Sequence, residues 1–199
     1  MWFPERGLHV SWSFWLLILL AAIVSPLTIV LSILLAAALH ECGHLLALRA
    51  FHVPIEGLRL SAFGAVLHAR GAQRLSYGRE LVVTLAGCGM NLVCGVLTAW
   101  FSLHYVWVEG FVFAGAHILL CAFNLLPIPP LDGSSIIVPF LKGKALANYY
   151  RLQQYAMPIL ILVLYLLPMW TGIDVIGRYF DVTVYPLAEQ LLNFAIAGI

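Results

Sequence analysis

The chain has 199 residues, of which 63% are hydrophobic and 10% are charged, and its formal net charge is +1. A soluble domain is about 45–50% apolar and about 25% charged. The composition therefore excludes an ordinary water-soluble enzyme and a disordered chain, and the near-zero charge excludes a nucleic-acid binder that works by bulk electrostatics. What is left is a small polytopic membrane protein in which each ionisable residue at membrane depth needs a physical reason.

A membrane-crossing helix needs about 20 mainly apolar residues. The first apolar run extends from about Val10 to Val24 and stops before Pro26. No small-residue cleavage site follows it, so it reads as a retained helix. The second run, about Leu27 to Phe51, carries polar residues in its C-terminal half. The segment from Val53 to Arg79 differs. Within it, Glu56 to Ala69 alternates loosely around Phe63-Gly64, which predicts a β-hairpin or sheet element. Three further runs follow, at about Glu80–Phe101, Gly110–Leu126 and Tyr155–Trp170. A last short run, Pro186 to Ile199, reads as a span, a half-span or an interfacial helix. The expected fold is thus an all-α polytopic membrane protein of about six transmembrane helices, with a small β-element between helices two and three. Neither an internal repeat nor a long linker is visible, so residues 1–199 read as a single membrane domain.

Basic residues near span ends set the expected orientation. Arg49, Arg59, Arg70, Arg74 and Arg79 lie in one connection, and Lys142, Lys144 and Arg151 in another, whereas residues 102–109 hold no Lys or Arg. Both basic loops, and the N-terminus with Arg6, are expected on the cytoplasmic side. Arg178 is a mild exception. Cys42, Cys88, Cys94 and Cys121 lie in apolar stretches without a Cys-x-x-Cys pair and read as small buried hydrophobes.

One motif stands out. The second run contains His40-Glu41-Cys42-Gly43-His44, an H-E-x-x-H on a predicted helix. Residues i and i+4 differ by about 40° around a helix axis, so both imidazoles project from one face. Such a pair suits a tetrahedral zinc, and Glu41 on the adjacent face can serve as general base toward a water made acidic by the metal. His40 lies about 13 Å from Arg49 along the helix, deep in the span. A catalytic zinc needs a third protein ligand. Asp132, in the proline-broken stretch Asn124-Leu-Leu-Pro-Ile-Pro-Pro-Leu-Asp132-Gly133, is the favoured choice, because irregular backbone at membrane depth belongs where it lines a cavity. His117 and His104 are alternatives, and His117 also fits a helix–helix hydrogen bond.

These residues resemble the site-2 protease family of intramembrane zinc metalloproteases. The likeness rests on H-E-x-x-H in one span and Asn124…Pro127-x-Pro129-x-x-Asp132-Gly133 after a later one, and it covers roughly His9 to Tyr165. It implies one Zn2+ per chain held by His40, His44 and Asp132, with Glu41 as catalytic base. A glycine-rich stretch, Ala86-Gly87-Cys88-Gly89-Met90-Asn91, matches a further family element, and by resemblance Asn91 would contact the substrate backbone or the oxyanion.

Within the family the chain is most similar to the sporulation-type branch of stage IV sporulation protein FB, through Leu8-His9-Val10 and Phe63-Gly64. That branch usually carries a C-terminal nucleotide-sensing CBS domain, which the 199 residues do not include. Cys42 and Cys88 depart from the usual pattern. The resemblance implies regulated intramembrane proteolysis of a membrane-anchored protein, such as a pro-sigma or anti-sigma factor, in a bacterial cell membrane. The expected partners are that substrate, the lipid bilayer and a regulatory membrane protein, with no nucleic acid. A silent membrane scaffold or a zinc transporter is the rival reading.

Overall fold

The computed structural model describes residues 7–62, 64–72, 75–175, 177–182, 185–186 and 189–190. Proline and glycine punctuate the first half as the sequence predicts. Helix α1 (Trp12–Val24) ends at Ser25, and Pro26, with its fixed φ and missing N–H, caps helix α2 (Leu27–Ala50). After α2 the chain turns through His52, at φ 57°, into strand β2 (Ile55–Ser61) and strand β3 (Gly64–Ala69). Helices α3 (Tyr77–Tyr105) and α4 (Val108–Asn124) follow.

The expected β-element is present but larger than a hairpin. Residues Gly7–Val10 form a further strand, β1, that pairs in parallel with β2, while β2 and β3 pair antiparallel in the order β1-β2-β3. Leu58 at the centre has Leu8 on one side and Leu67 on the other. A parallel partner must arrive by a crossover, here α1 and α2, and local alternation cannot reveal it.

The chain divides into two units, Met1–Cys121 and Ala122–Ile199. In the first, helix contacts are built on small residues. A Cβ on Gly43 would strike the backbone carbonyl of Ala86, which brings α2 and α3 into backbone contact. Gly95 faces the Ala114 carbonyl and His117, and Gly110 faces Ser102, which brings α3 and α4 together. Close approach through small residues is how helices associate when lipid removes the hydrophobic drive between them. The large apolar side chains point outward. Helix α1 has no buried residue, and Trp12, Ile23 and Val24 are 77%, 73% and 82% exposed. Water would penalise such a surface; a bilayer does not.

By length and composition, α2 and α3 can each cross a membrane; α1 and α4 are shorter apolar helices. The expected fifth run is helical in pieces: α7 (Ala156–Ile161) and α8 (Leu167–Thr171; α5 and α6 are defined below) flank a π-helical stretch at Leu162–Leu166. Most of the final run, 186–199, lies outside the described residues.

The second unit organises the proline-rich stretch. Helix α5 (Asp132–Ile137) begins at the aspartate, and Gly133 sits so tightly against the carbonyls of Leu125 and Leu126 that no Cβ fits. Ser134 Oγ donates to the Leu131 carbonyl at 2.7 Å, and the Tyr149 hydroxyl, from helix α6 (Lys144–Gln153), donates to Ser134 Oγ at 3.1 Å. Leu126, Leu131 and Leu160 form the core here, packed by Phe123, Tyr179 and Phe180.

Replacing Gly43 by Ala should lower stability by about 1–3 kcal/mol, the usual cost of overpacking. Gly115→Ala should be near neutral, since no atom lies within 4 Å of the added carbon. Thermal unfolding of both variants in detergent tests the pair.

Candidate metal centre

The site starts from a four-residue repeat on two helices. On α2, His40 and His44 stand one turn apart; on α3, Val83, Gly87 and Asn91 are also spaced by four. Residues at that spacing share a helix face, and each α3 residue meets a defined part of an imidazole. His44 Nδ1 lies 2.8 Å from the Val83 carbonyl. A carbonyl only accepts, so Nδ1 carries the proton and Nε2 keeps its lone pair. That is the tautomer a metal ligand needs, fixed by a backbone group.

Gly87 comes next. A Cβ at this position would collide with His44 Nε2 and stand 2.8 Å from His40 Nε2. Both Nε2 atoms thus converge beside bare backbone, 3.1 Å apart. Two nitrogens at about 2.0–2.1 Å from one tetrahedral zinc are about 3.3–3.4 Å apart. The spacing and the donor chemistry therefore fit zinc, which His40 and His44 would hold through Nε2.

Asn91 completes the ladder. Its Nδ2 lies 3.3 Å from His40 Nδ1, and its Oδ1 lies 3.0 Å from Nδ1 of His117 on α4. Asn91 and His117 have no exposed surface. The expectation for Asn91 was a substrate-facing contact; in the structure its carboxamide faces two imidazoles. His117 makes the helix–helix bond the sequence allowed. His104 is exposed at the end of α3, stacked on Trp100 with ring centroids 4.9 Å apart.

Glu41 is half-buried, one residue and about 100° around α2 from His40. Cys42 is exposed, which corrects its reading as a buried hydrophobe: two residues from His40, it lies about 200° around the helix. Cys88 and Cys121 are buried and Cys94 is half-buried. Asp132 opens α5 in the second unit and is half-buried.

The sequence missed the partnership of Asn91 with His117 and the role of Gly87. The spacing of Val83, Gly87 and Asn91, matched to that of His40 and His44, was the available signal.

The fold these elements make has a counterpart among solved structures. It resembles the Site-2 Protease from Methanocaldococcus jannaschii with a TM-score of 0.65 over 96% of this chain and 93% of that one, at 20% sequence identity. Among curated proteins, the "Putative zinc metalloprotease YwhC" of Bacillus subtilis (strain 168) is 29% identical over 119 residues, 55% of this chain. The chain spans about half the length of that relative, 51%. No family model matches.

Gly87→Ala should abolish tight zinc binding, because the new methyl enters the space between the two Nε2 atoms. Gly89→Ala, with no atom within 4 Å, should bind zinc like the parent protein. Metal content after dialysis against a weak chelator reads the difference.

Proposed function

We propose that this protein is an intramembrane zinc metalloprotease that hydrolyses peptide bonds of membrane-anchored proteins. The observation that carries the reading is the convergence of His40 Nε2 and His44 Nε2 beside Gly87, with His44 already in the ligating tautomer. With Asp132 as the third ligand, His40 and His44 would complete the donor set of a catalytic zinc with one open position. The likeness in fold to a site-2 protease and the relative named as a zinc metalloprotease support the same reading.

One zinc ion per chain would supply a Lewis acid and raise the acidity of a water molecule to near pH 7. Glu41 then acts as general base, taking the proton from water as it attacks the scissile carbonyl and passing it to the departing amine. A helical substrate keeps its carbonyls in internal hydrogen bonds, so it must be drawn out before cleavage. Strand β3 lies at one edge of the sheet, with β2 as its partner. An unwound substrate can add there as a further strand, held by main-chain hydrogen bonds.

The basic connections and the N-terminus face the cytoplasm in this reading, and cleavage occurs near that side. A membrane-anchored regulator, such as a pro-sigma or anti-sigma factor, is the proposed substrate class, and a second membrane protein would control access.

Glu41→Gln should retain zinc and lose about 10²- to 10⁴-fold in cleavage rate. Asp132→Ala should lose both zinc and cleavage. Co-expression with a library of membrane-anchored bacterial regulators, with products mapped by mass spectrometry, checks both. A Glu41→Gln protein that still cleaves at the parent rate would sink the assignment.

A further inference from the structure

His117 is buried without any exposed surface in an apolar helix, and its Nε2 has no hydrogen-bond partner among the described residues. Burying an imidazole this way is costly, and the polar contact it makes is with Asn91, which in turn reaches His40. We propose that Asn91 and His117 are positioning residues for the metal ligand His40, and that zinc on His40 reverses the Asn91 carboxamide and moves the His117 proton from Nδ1 to Nε2. This rests on the zinc site proposed above.

The argument follows donors and acceptors along the chain of bonds. In the arrangement seen here, Asn91 Oδ1 faces His117 and so accepts from Nδ1–H of that ring. Asn91 Nδ2 faces His40 and donates, so His40 Nδ1 accepts and the His40 proton sits on Nε2. His40 Nε2–H then points at the lone pair of His44 Nε2, 3.1 Å away. The order is His117 to Asn91 to His40 to His44 to the Val83 carbonyl, each link pairing one donor with one acceptor.

A metal on His40 Nε2 requires the other tautomer. The Nε2 proton leaves, a proton is taken up at Nδ1, and Nδ1–H now needs an acceptor. Asn91 can supply one by turning its carboxamide half a revolution, so that Oδ1 faces His40 and Nδ2 faces His117. His117 Nδ1 must then accept, so its proton moves to Nε2. Both rings remain neutral and no proton is gained or lost overall. Histidine suits this position because one ring atom, Nδ1, can either donate or accept. Since Nε2 of His117 has no described partner, the bond to Asn91 decides which tautomer is present.

The test is ¹⁵N NMR of histidine-labelled protein in detergent micelles, stripped with chelator and then given one equivalent of zinc. His44 should stay protonated at Nδ1 throughout, while His40 moves its proton to Nδ1 and His117 moves its own to Nε2. In Asn91→Leu, which keeps the volume but breaks the link, His40 should still respond to zinc and His117 should not. Competition with a chelator should show zinc affinity in that variant reduced by about ten- to a hundredfold. A His117 ring that ignores zinc while His40 responds overturns the coupling and leaves the zinc site standing. No zinc-dependent change at His40 or His44 overturns the site itself. If Asn91→Leu does not fold, the wild-type spectra decide alone.

Discussion

The ring nitrogens of His40 and His44 are costly to bury without partners, and α2 and α3 are arranged around that need. An unsatisfied polar group in an apolar setting costs several kcal/mol. Two imidazoles on α2 bring four ring nitrogens. Helix α3 meets them with a backbone carbonyl at Val83, bare backbone at Gly87 and a carboxamide at Asn91, one turn apart in each case. The carbonyl of Val83 can receive His44 without unravelling α3, because a carbonyl oxygen has two lone pairs and the helix uses one. The ladder works only if the two backbones come close, and Gly43 against Ala86 makes that possible.

Once the interior is given over to small residues and imidazoles, the large side chains have to go outside. This accounts for a surface rich in exposed Trp, Leu, Ile and Val around α1, α2 and α3. The same inversion explains the 63% hydrophobic composition. The apolar residues dissolve the molecule in lipid, and the core is held by close approach and a few directed bonds. Ser102 follows the same logic on a small scale: fully buried, it returns its hydroxyl to the Thr98 carbonyl of its own helix at 2.7 Å.

Much of this was legible in the sequence because it is local. The apolar runs gave α2 and α4 to within a few residues, and the four-residue spacing of His40 and His44 gave the shared face. The alternation around Glu56–Ala69 gave β2 and β3. The features that were not legible are those that depend on distant segments. Strand β1 is four residues long and finds its partner only after two helices intervene. Gly87 looks like one more small residue of a glycine-rich stretch until an imidazole is set against it. The π-helical stretch at Leu162–Leu166 leaves the apolar run unchanged and changes only the hydrogen-bond register, which composition does not record.

The burial of Asn91 bears on what its carboxamide can do. An asparagine in an active-site span can offer an N–H to a developing oxyanion or can orient a neighbouring ligand. The first role needs the amide to face the space where substrate sits. The carboxamide of Asn91 has no exposed surface, and each of its ends meets an imidazole. In this arrangement both ends of the carboxamide are taken up by imidazoles, and in the proposed coupling its contact with His40 sets the proton position on that ring. The contact with His117 on α4 holds the other end of the carboxamide, so the same bond that joins α3 to α4 also fixes the amide beside His40.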